Sequence, residues 1–355
     1  MSKVILSSSK KWAEPKNIGI IVVAFDNQEH LKKLLKTIAL QKQKNDFLIV
    51  IDNHPEYRSA ILADKYDTVD KVIRSPKNYG FAKGCNVAVK RLPSNIDTIL
   101  MLNPDTILEK NTLNFLRKEL PAEWAGGMPL LTMANQKVNS AGNVLHISGL
   151  SWCQGFGKNV KEYNVHKEVV IISGACFLIR RNVWEEFGGF EENYFMYYED
   201  TDLSLRIRLK GYKIGLIPNA HVKHDYDFQK SHLKWFYIER NRYLIIFELF
   251  PLPVIILLFP LLFMVELGLW GLAIIDGRFL NKLKASFSVI KVIPLIFRKR
   301  HLNKKNLRLS PLEFFNLLNG SIDTPILSRI QILNPLFNFY YEIVVILLRL
   351  FYPTK

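Results

Sequence analysis

Between Tyr194 and Gly211 the chain sets three carboxylates, Glu199, Asp200 and Asp202, directly behind an aromatic run of Tyr194, Phe195, Tyr197 and Tyr198. Aromatic faces exclude water and offer a floor for a sugar ring. A carboxylate beside such a floor is placed to take a proton from a hydroxyl. A further acid, Asp105, stands in Leu-Asn-Pro-Asp-Thr at 102–106, just past an apolar run. That position suits a metal ion and a diphosphate. Plainer roles compete. Acids at the start of a helix satisfy its dipole, and Pro104-Asp105 is a common turn pair. Capping needs one acid and gains little from the aromatics, which favours chemistry at 199–200.

These residues need a scaffold, and the apolar pattern supplies one. Ile18 to Phe25 is a near-continuous apolar run, as in a strand buried on both faces of a parallel sheet. Leu31, Leu34, Leu35 and Ile38 recur at helical spacing between lysines. Further strands are expected at Phe47 to Ile51, at Val72-Ile73, at Thr98 to Leu102 and at Val169 to Ile179, with a helix at Phe81 to Leu92. The alternation predicts an α/β domain with a largely parallel sheet. Ligands of such sheets bind beyond the carboxyl ends of the strands, where Asp52, Asn53, Asn103 and Asp105 fall. Residues 200–210 conflict. Leu203, Leu205, Ile207 and Leu209 alternate as in a strand, while acids at the start, bases near the end and Gly211 beyond match a helix. A helix is expected. Scattered glycines from Gly126 to Gly174 predict turns and loops.

The composition changes at Tyr243. Leu249 to Val265 is uncharged and contains Pro251, Pro253 and Pro260. The prolines and Glu266 favour a re-entrant hairpin or interfacial helices over one or two simple spans. Phe337 to Tyr352 is a second apolar segment that can dock on the same surface. Buried core helices of a second domain are the competing reading. The net charge is +16. Arg278 to Arg308 carries ten Lys or Arg and no acid. Such a stretch fits nucleic acid or an anionic membrane surface. No nucleic-acid recognition motif is present, and the basic stretch follows an apolar one, so the membrane is favoured. Cys85, Cys153 and Cys176 are odd in number and far apart, which argues against a disulfide framework and fits a reducing compartment. Met1 to Asn17 has no apolar run, so no secretory signal is expected there. The expected organisation is an extension at 1–17, a catalytic domain at 18–235 and a helical, membrane-associating region at 236–355.

Seven short motifs occur in order: Ile21 to Asn27 (Ile-Val-Val-Ala-Phe-Asp-Asn), Val50 to Asn53 (Val-Ile-Asp-Asn), Asn78 to Asn86 (Asn-Tyr-Gly-Phe-Ala-Lys-Gly-Cys-Asn), Leu102 to Thr106, Ser173 to Cys176 (Ser-Gly-Ala-Cys), Gly188 to Phe190 (Gly-Gly-Phe) and Glu199 to Asp202 (Glu-Asp-Thr-Asp). Each alone is weak. Together they resemble the family 2 inverting glycosyltransferases of GT-A fold, in particular the rhamnosyltransferase-like branch, over about residues 18–225.

The resemblance implies a Rossmann-like GT-A sheet, a nucleotide-sugar donor, a divalent metal (Mg²⁺ or Mn²⁺) and inversion at the anomeric carbon. Asp105 is the implied metal ligand. Asn103 stands where the wider family often has a first acid. His224 aligns with the family histidine of the metal or diphosphate site, with His221 as its rival. Asp200 is the implied general base, and Glu199 orients the acceptor or raises the pKa of Asp200. Asp52 and Asn53 are expected at the base or ribose, with the backbone of Ala24 and Phe25 holding the base. Gly80 allows close approach, and Lys83 and Asn86 can reach base or phosphate. Asn103, Gly174 and Ala175 complete the expected nucleotide-sugar site. Arg240 and Arg242 are expected to grip the diphosphate of a lipid-linked acceptor, or else to form an ordinary basic cluster beside a membrane.

The expected activity is transfer of a sugar, rhamnose from a dTDP or UDP donor, to a lipid-linked or glycan acceptor. The expected place is the cytoplasmic face of the inner membrane, in cell-surface polysaccharide assembly. Two rivals stand beside it: nucleotidyl transfer on a related sheet, and a non-catalytic membrane scaffold. Neither has a feature of its own in the sequence.

Overall fold

The computed structural model describes residues 10–224, 232–304 and 308–352. Residues 1–9 of the expected extension lie outside it. The twelve strands are β1 (Ile18–Ala24), β2 (Phe47–Asp52), β3 (Lys71–Arg74), β4 (Thr98–Leu102), β5 (Thr106–Leu108), β6 (Trp124–Thr132), β7 (Val138–Ser140), β8 (Asn143–Leu145), β9 (Ser151–Cys153), β10 (Lys167–Glu168), β11 (Cys176–Arg180) and β12 (Lys213–His224). The main sheet runs β10-β12-β6-β11-β4-β1-β2-β3, with β5 and β7 at its side. The half formed by β4, β1, β2 and β3 is parallel throughout. Strand β11 enters antiparallel between β4 and β6, and β12 is again parallel to β6. Buried Ile, Val and Leu side chains fill both faces of β1, β2 and β4, as central parallel strands require.

Helices α1 (Gln28–Ala39), α2 (Arg58–Ala63), α3 (Gly80–Val89), α4 (Thr112–Glu119) and α5 (Arg181–Glu186) accompany this sheet. Helix α6 spans Glu199–Leu209, so the helical reading of 200–210 holds. Its leucines alternate without an amphipathic stripe because nine of its eleven residues are buried. A helix enclosed on most sides has no polar face to keep in register. The strand expected at Val169 to Ile179 begins only at Cys176, which leaves Ser173, Gly174 and Ala175 as a loop at its entry.

Beyond β12 the chain is helical: α7 (His232–Leu249), α8 (Leu252–Ile275), α9 (Phe279–Lys291), α10 (Ile293–Lys304), α11 (Pro311–Phe315), a 3-10 segment at Pro325–Leu333 and α12 (Asn334–Phe351). The apolar stretch is one continuous helix, not a hairpin. Pro251 caps α8 and Pro253 lies in its first turn, where amides lack intrahelical partners anyway. Pro260 alone interrupts its interior. At about 1.5 Å per residue α8 is long enough to cross a hydrocarbon core. Pro325–Phe351 passes the same test of length and composition.

A second core joins these helices to the loops of the sheet. Leu145, Ile147, Tyr194, Tyr198, Leu205 and Leu209 pack with Leu244, Phe250, Leu258, Phe314 and Phe337. This packing crosses the boundary expected near residue 235.

Candidate active site

Glu199 and Asp200 open α6, which follows Tyr198 in a left-handed conformation with φ 66°. Asp200 accepts hydrogen bonds on Oδ2 from the Gly174 N–H at 2.8 Å and on Oδ1 from the Thr201 N–H at 2.6 Å. Gly174 therefore touches the carboxylate itself. A Cβ there would stand 3.3 Å from Oδ2. Ala175 braces the neighbouring strand end by accepting the Asn103 N–H at 2.9 Å. Glu199 is buried, and its Oε2 accepts no hydrogen bond among the described residues.

Burial pushes the Asp200 carboxyl up from its ordinary range, while the donors at Gly174 and Thr201 hold it back. Burial and the nearby Asp200 charge push Glu199 well above its ordinary range. Two adjacent acids in low dielectric titrate as a unit. The hydrogen bonds favour the charged form of Asp200, so Asp200 is the member suited to act as base. Glu199 is the member suited to keep its proton.

The sheet brings the other pair together. Strand β5 runs antiparallel to β12 with Thr106 opposite His224. That register places Asp105 Oδ1 3.6 Å from His224 Nε2. Asp105 Oδ1 is shut off from solvent and accepts no hydrogen bond among the described residues. Burial raises the Asp105 pKa, but His224 and a backbone N–H outweigh it, and the net shift is downward. His224 Nδ1 lies 3.2 Å from Asn139 Oδ1, a partner that sequence reasoning missed. His221 turns away towards the Pro218 carbonyl at 2.9 Å and Glu109 at 3.7 Å. An anionic oxygen with open lone pairs beside an imidazole fits a divalent cation. No third His, Cys, Asp or Glu joins them among the described residues.

The expected nucleotide residues divide. Ala24 sits at the end of β1, and its carbonyl accepts the Asn53 N–H at 2.9 Å. Phe25 is 48% exposed and meets His54 edge to face at 5.0 Å, an aromatic ledge whose histidine the motifs did not point to. Lys83 is partly exposed, 3.3 Å from Glu192. Asp52, Asn53, Gly80 and Asn86 are committed inward instead. Asp52 is fully buried, with its oxygens on the N–H groups of His54 and Ala60. Asn53 spans Gly80 O and Ser75 Oγ. Asn86 holds both backbone groups of Phe190. Gly80, at φ +70°, lets the Phe195 carbonyl approach, where a Cβ would stand 2.5 Å from that oxygen. Their polar groups are spent on the chain itself.

Arg240 and Arg242 do not line the cavity, contrary to their expected part in gripping a diphosphate. Both are buried. Arg240 bonds Asn193 O, Asn241 Oδ1 and Ser288 Oγ. Arg242 bonds Ser148 O and pairs with Glu266 and Glu239. Burial among fixed partners leaves them no reach towards a ligand.

A cavity of about 750 Å³ reaches from the acid pair and His224 to the helical region. Asn103, His224, Gly174, Asp200 and Glu199 line one portion; Trp235, Leu269, Leu272, Arg278 and Arg329 line another. At that second portion the Arg278 guanidinium lies 3.9 Å from the centre of the Trp235 ring, and Arg278 and Arg329 both pair with Asp276.

Residues 98–351 match the family model described as glycosyl transferase family group 2. Rhamnosyltransferase WbbL of Escherichia coli (strain K12) is 27% identical over 222 residues, spanning 58% of this chain and 83% of that protein. The N-acetylglucosaminyl-diphospho-decaprenol L-rhamnosyltransferase of Mycobacterium tuberculosis is 23% identical over 234 residues, 58% of this chain and 75% of that protein. The crystal structure of GalNAc-T7 with UDP, GalNAc and Mn²⁺ aligns with a TM-score of 0.54 at 14% identity, over 65% of this chain and 48% of that one. Motifs, sheet and family match agree: the chain belongs to glycosyl transferase family group 2, as a rhamnosyltransferase-like glycosyltransferase of GT-A fold.

Proposed function

We propose that the protein transfers a sugar, rhamnose from a dTDP donor or another from UDP, to a lipid-linked acceptor with inversion, in cell-surface polysaccharide assembly. The observation that carries this reading is the single cavity running from Asp200 and Glu199 to the apolar helix α8. Relatives named as rhamnosyltransferases, one of them acting on a diphospho-decaprenol sugar, support the donor and acceptor classes.

Asp200 takes the proton of the acceptor hydroxyl as that oxygen attacks the anomeric carbon from the face opposite the leaving diphosphate. One base suffices for a single displacement. Glu199, whose hold on its proton burial and the Asp200 charge strengthen, is placed to donate a hydrogen bond to the acceptor. Tyr197 and Tyr198, at the same cavity wall, shield the reacting atoms from water. Asp105 and His224 would hold Mg²⁺ or Mn²⁺, which when bound neutralises charge on the departing diphosphate. The exposed Phe25 ring, the half-buried His54 ring beside it and Lys83 are suited to the donor nucleotide.

Exposed Ile256, Phe259, Phe263, Phe297, Phe339 and Leu350 make the helical region's surface strongly apolar. With the basic run at 278–308 it fits a monotopic seat on anionic lipid at the cytoplasmic face. Arg278 and Arg329, not Arg240 and Arg242, are the cations that meet an acceptor diphosphate in the cavity. The test is incubation of the full chain in detergent with nucleotide sugars, Mn²⁺ and a polyprenyl-diphosphate sugar. Release of nucleoside diphosphate with an inverted product is expected. Release of pyrophosphate would point to nucleotidyl transfer, and no turnover of any common donor to a scaffold.

A further inference from the structure

The loop from Asn193 to Tyr198 holds a conformation that its residues do not favour. Phe195, Tyr197 and Tyr198, none of them glycine, have φ of 63°, 64° and 66°. At Phe195 ψ is −62°, and the Met196 N–H reaches the Tyr194 carbonyl at 2.7 Å. That is a γ-turn of the rare, strained sign. Such backbone persists only where its surroundings over-determine it. The loop ends at Glu199 and Asp200, so its shape sets where both acids stand.

The restraint comes from α7. Asn241 is fully buried in that helix, and its Nδ2 donates towards the carbonyls of Tyr194, Met196 and Tyr197 at 3.0, 2.9 and 2.7 Å. Two N–H groups are shared among three acceptors. Arg240 fixes which end of the amide faces the loop: its Nη1 donates to Asn241 Oδ1 at 3.1 Å and to the Asn193 carbonyl at 2.6 Å. One turn earlier, Tyr237 stacks on Phe195 with ring centres 4.9 Å apart. On the loop's other side the Phe195 carbonyl accepts the Ala82 N–H at 3.1 Å, beside Gly80. The same helix lends Lys234, Trp235, Ile238 and Glu239 to the cavity wall.

We infer that Asn241, oriented by Arg240, is a positioning residue that clamps the strained 193–198 loop and so sets Glu199 and Asp200 against the acceptor. The inference rests on the transferase reading above. It gives the Arg240-Asn241-Arg242 triplet a function other than binding phosphate. It also makes α7 the element through which the helical region and the catalytic acids share one geometry.

The test uses the full chain in detergent. Asn241→Ala is expected to lower kcat about 100-fold, the scale of an ångström's misplacement at a reacting centre, while the affinity for UDP or dTDP stays at the parent's value. Asn241→Asp keeps the shape but turns an oxygen towards three carbonyls, so it is expected to lose more kcat than alanine. Space-filling alone predicts the reverse order, and that order overturns the clamp. Arg117→Met, which breaks the distant buried pair with Asp46, is the control for lost stability. A kcat loss in Asn241→Ala no greater than in this control at equal Tm also overturns it. If the alanine variant does not accumulate, Arg240→Lys is expected to lower kcat and to speed hydrogen exchange at 195–198, and unchanged kcat and exchange refute the inference. Should the parent transfer no sugar, the transferase reading fails by itself. The exchange rates at 195–198 in Asn241→Ala then still decide whether the clamp exists: faster than the parent supports it, equal refutes it.

Discussion

Asp52 and Asp200 are the same residue type, each within one of the short motifs, the first as the last residue of β2 and the second in the first turn of α6. Their surroundings separate them. Asp52 is fully buried and gives its oxygens to two N–H groups of its own loop and of α2. Asp200 is bonded too, but it stays on a cavity wall, beside an acid whose Oε2 has no donor among the described residues. The difference shows what makes a carboxylate chemical. Membership of a motif is not enough; a face on the cavity is also needed.

The largest test of that contrast pairs two amides. Asp200→Asn is expected to lower kcat about 1,000-fold, within the span general bases contribute, with donor affinity and Tm held. Asp52→Asn is expected to do the opposite, lowering Tm by several degrees through a lost backbone acceptor while kcat per folded molecule stays close to the parent's. Calorimetry and initial rates on the same preparations decide it. Next in size, Asp105→Ala is expected to weaken Mn²⁺-dependent binding of UDP or dTDP about 10- to 100-fold, with no change when metal is chelated. Titration calorimetry with and without EDTA reads this directly. Arg278→Gln with Arg329→Gln is expected to raise the acceptor KM about 10-fold for a diphosphate-linked acceptor, as loss of roughly one charge-assisted bond would, and to leave a neutral alkyl glycoside unaffected.

The smallest effect is on stability. Burial pushes Glu248 up to about 7, against the pull of Lys299. A carboxyl whose folded pKa is raised gives up stability as pH climbs from its unfolded value to its folded one, because the unfolded chain ionises first. Between about pH 4.5 and 7 the parent therefore loses Tm that Glu248→Gln keeps. The difference is expected to be a few degrees and to level off above about 7. Equal slopes for parent and variant would count against burial of the Glu248 carboxyl as its source.

Much of the α/β half was legible because buried parallel strands are written as continuous Ile and Val runs. Strands β1, β2 and β4 fall within a residue or so of their expected bounds. Asp105 and His224 were legible as motifs, but only the β5–β12 register shows that they meet. Three things were not legible. Asn53, Gly80 and Asn86 occupy motif positions, yet their partners lie well along the chain, which no local pattern marks. Arg240 and Arg242 read as surface cations because charge carries no sign of burial; acids from α7 and α8 and loop carbonyls enclose them. Asn139 and Trp235 lie outside every motif and reach the cavity only through the fold. The break into a hairpin expected from three prolines did not occur because two of them occupy the start of α8, where they cost no hydrogen bond.

The proposed transfer depends most directly on Asp200 as a base whose proton affinity burial raises. The measurement is kcat/KM for the acceptor against pH for the parent, in detergent, with saturating donor. Cys85, Cys153, Tyr198 and Asp202 also face the acid pair, with Lys234 acting on Cys153, and the same profile for Asp200→Asn isolates the contribution of Asp200. The parent's rate is predicted to rise with pH along an acid limb displaced above about pH 4, the ordinary carboxylate value, and the Asn variant is predicted to lose that limb. A parent limb at or below about pH 4, or the same limb surviving in Asp200→Asn, would contradict it.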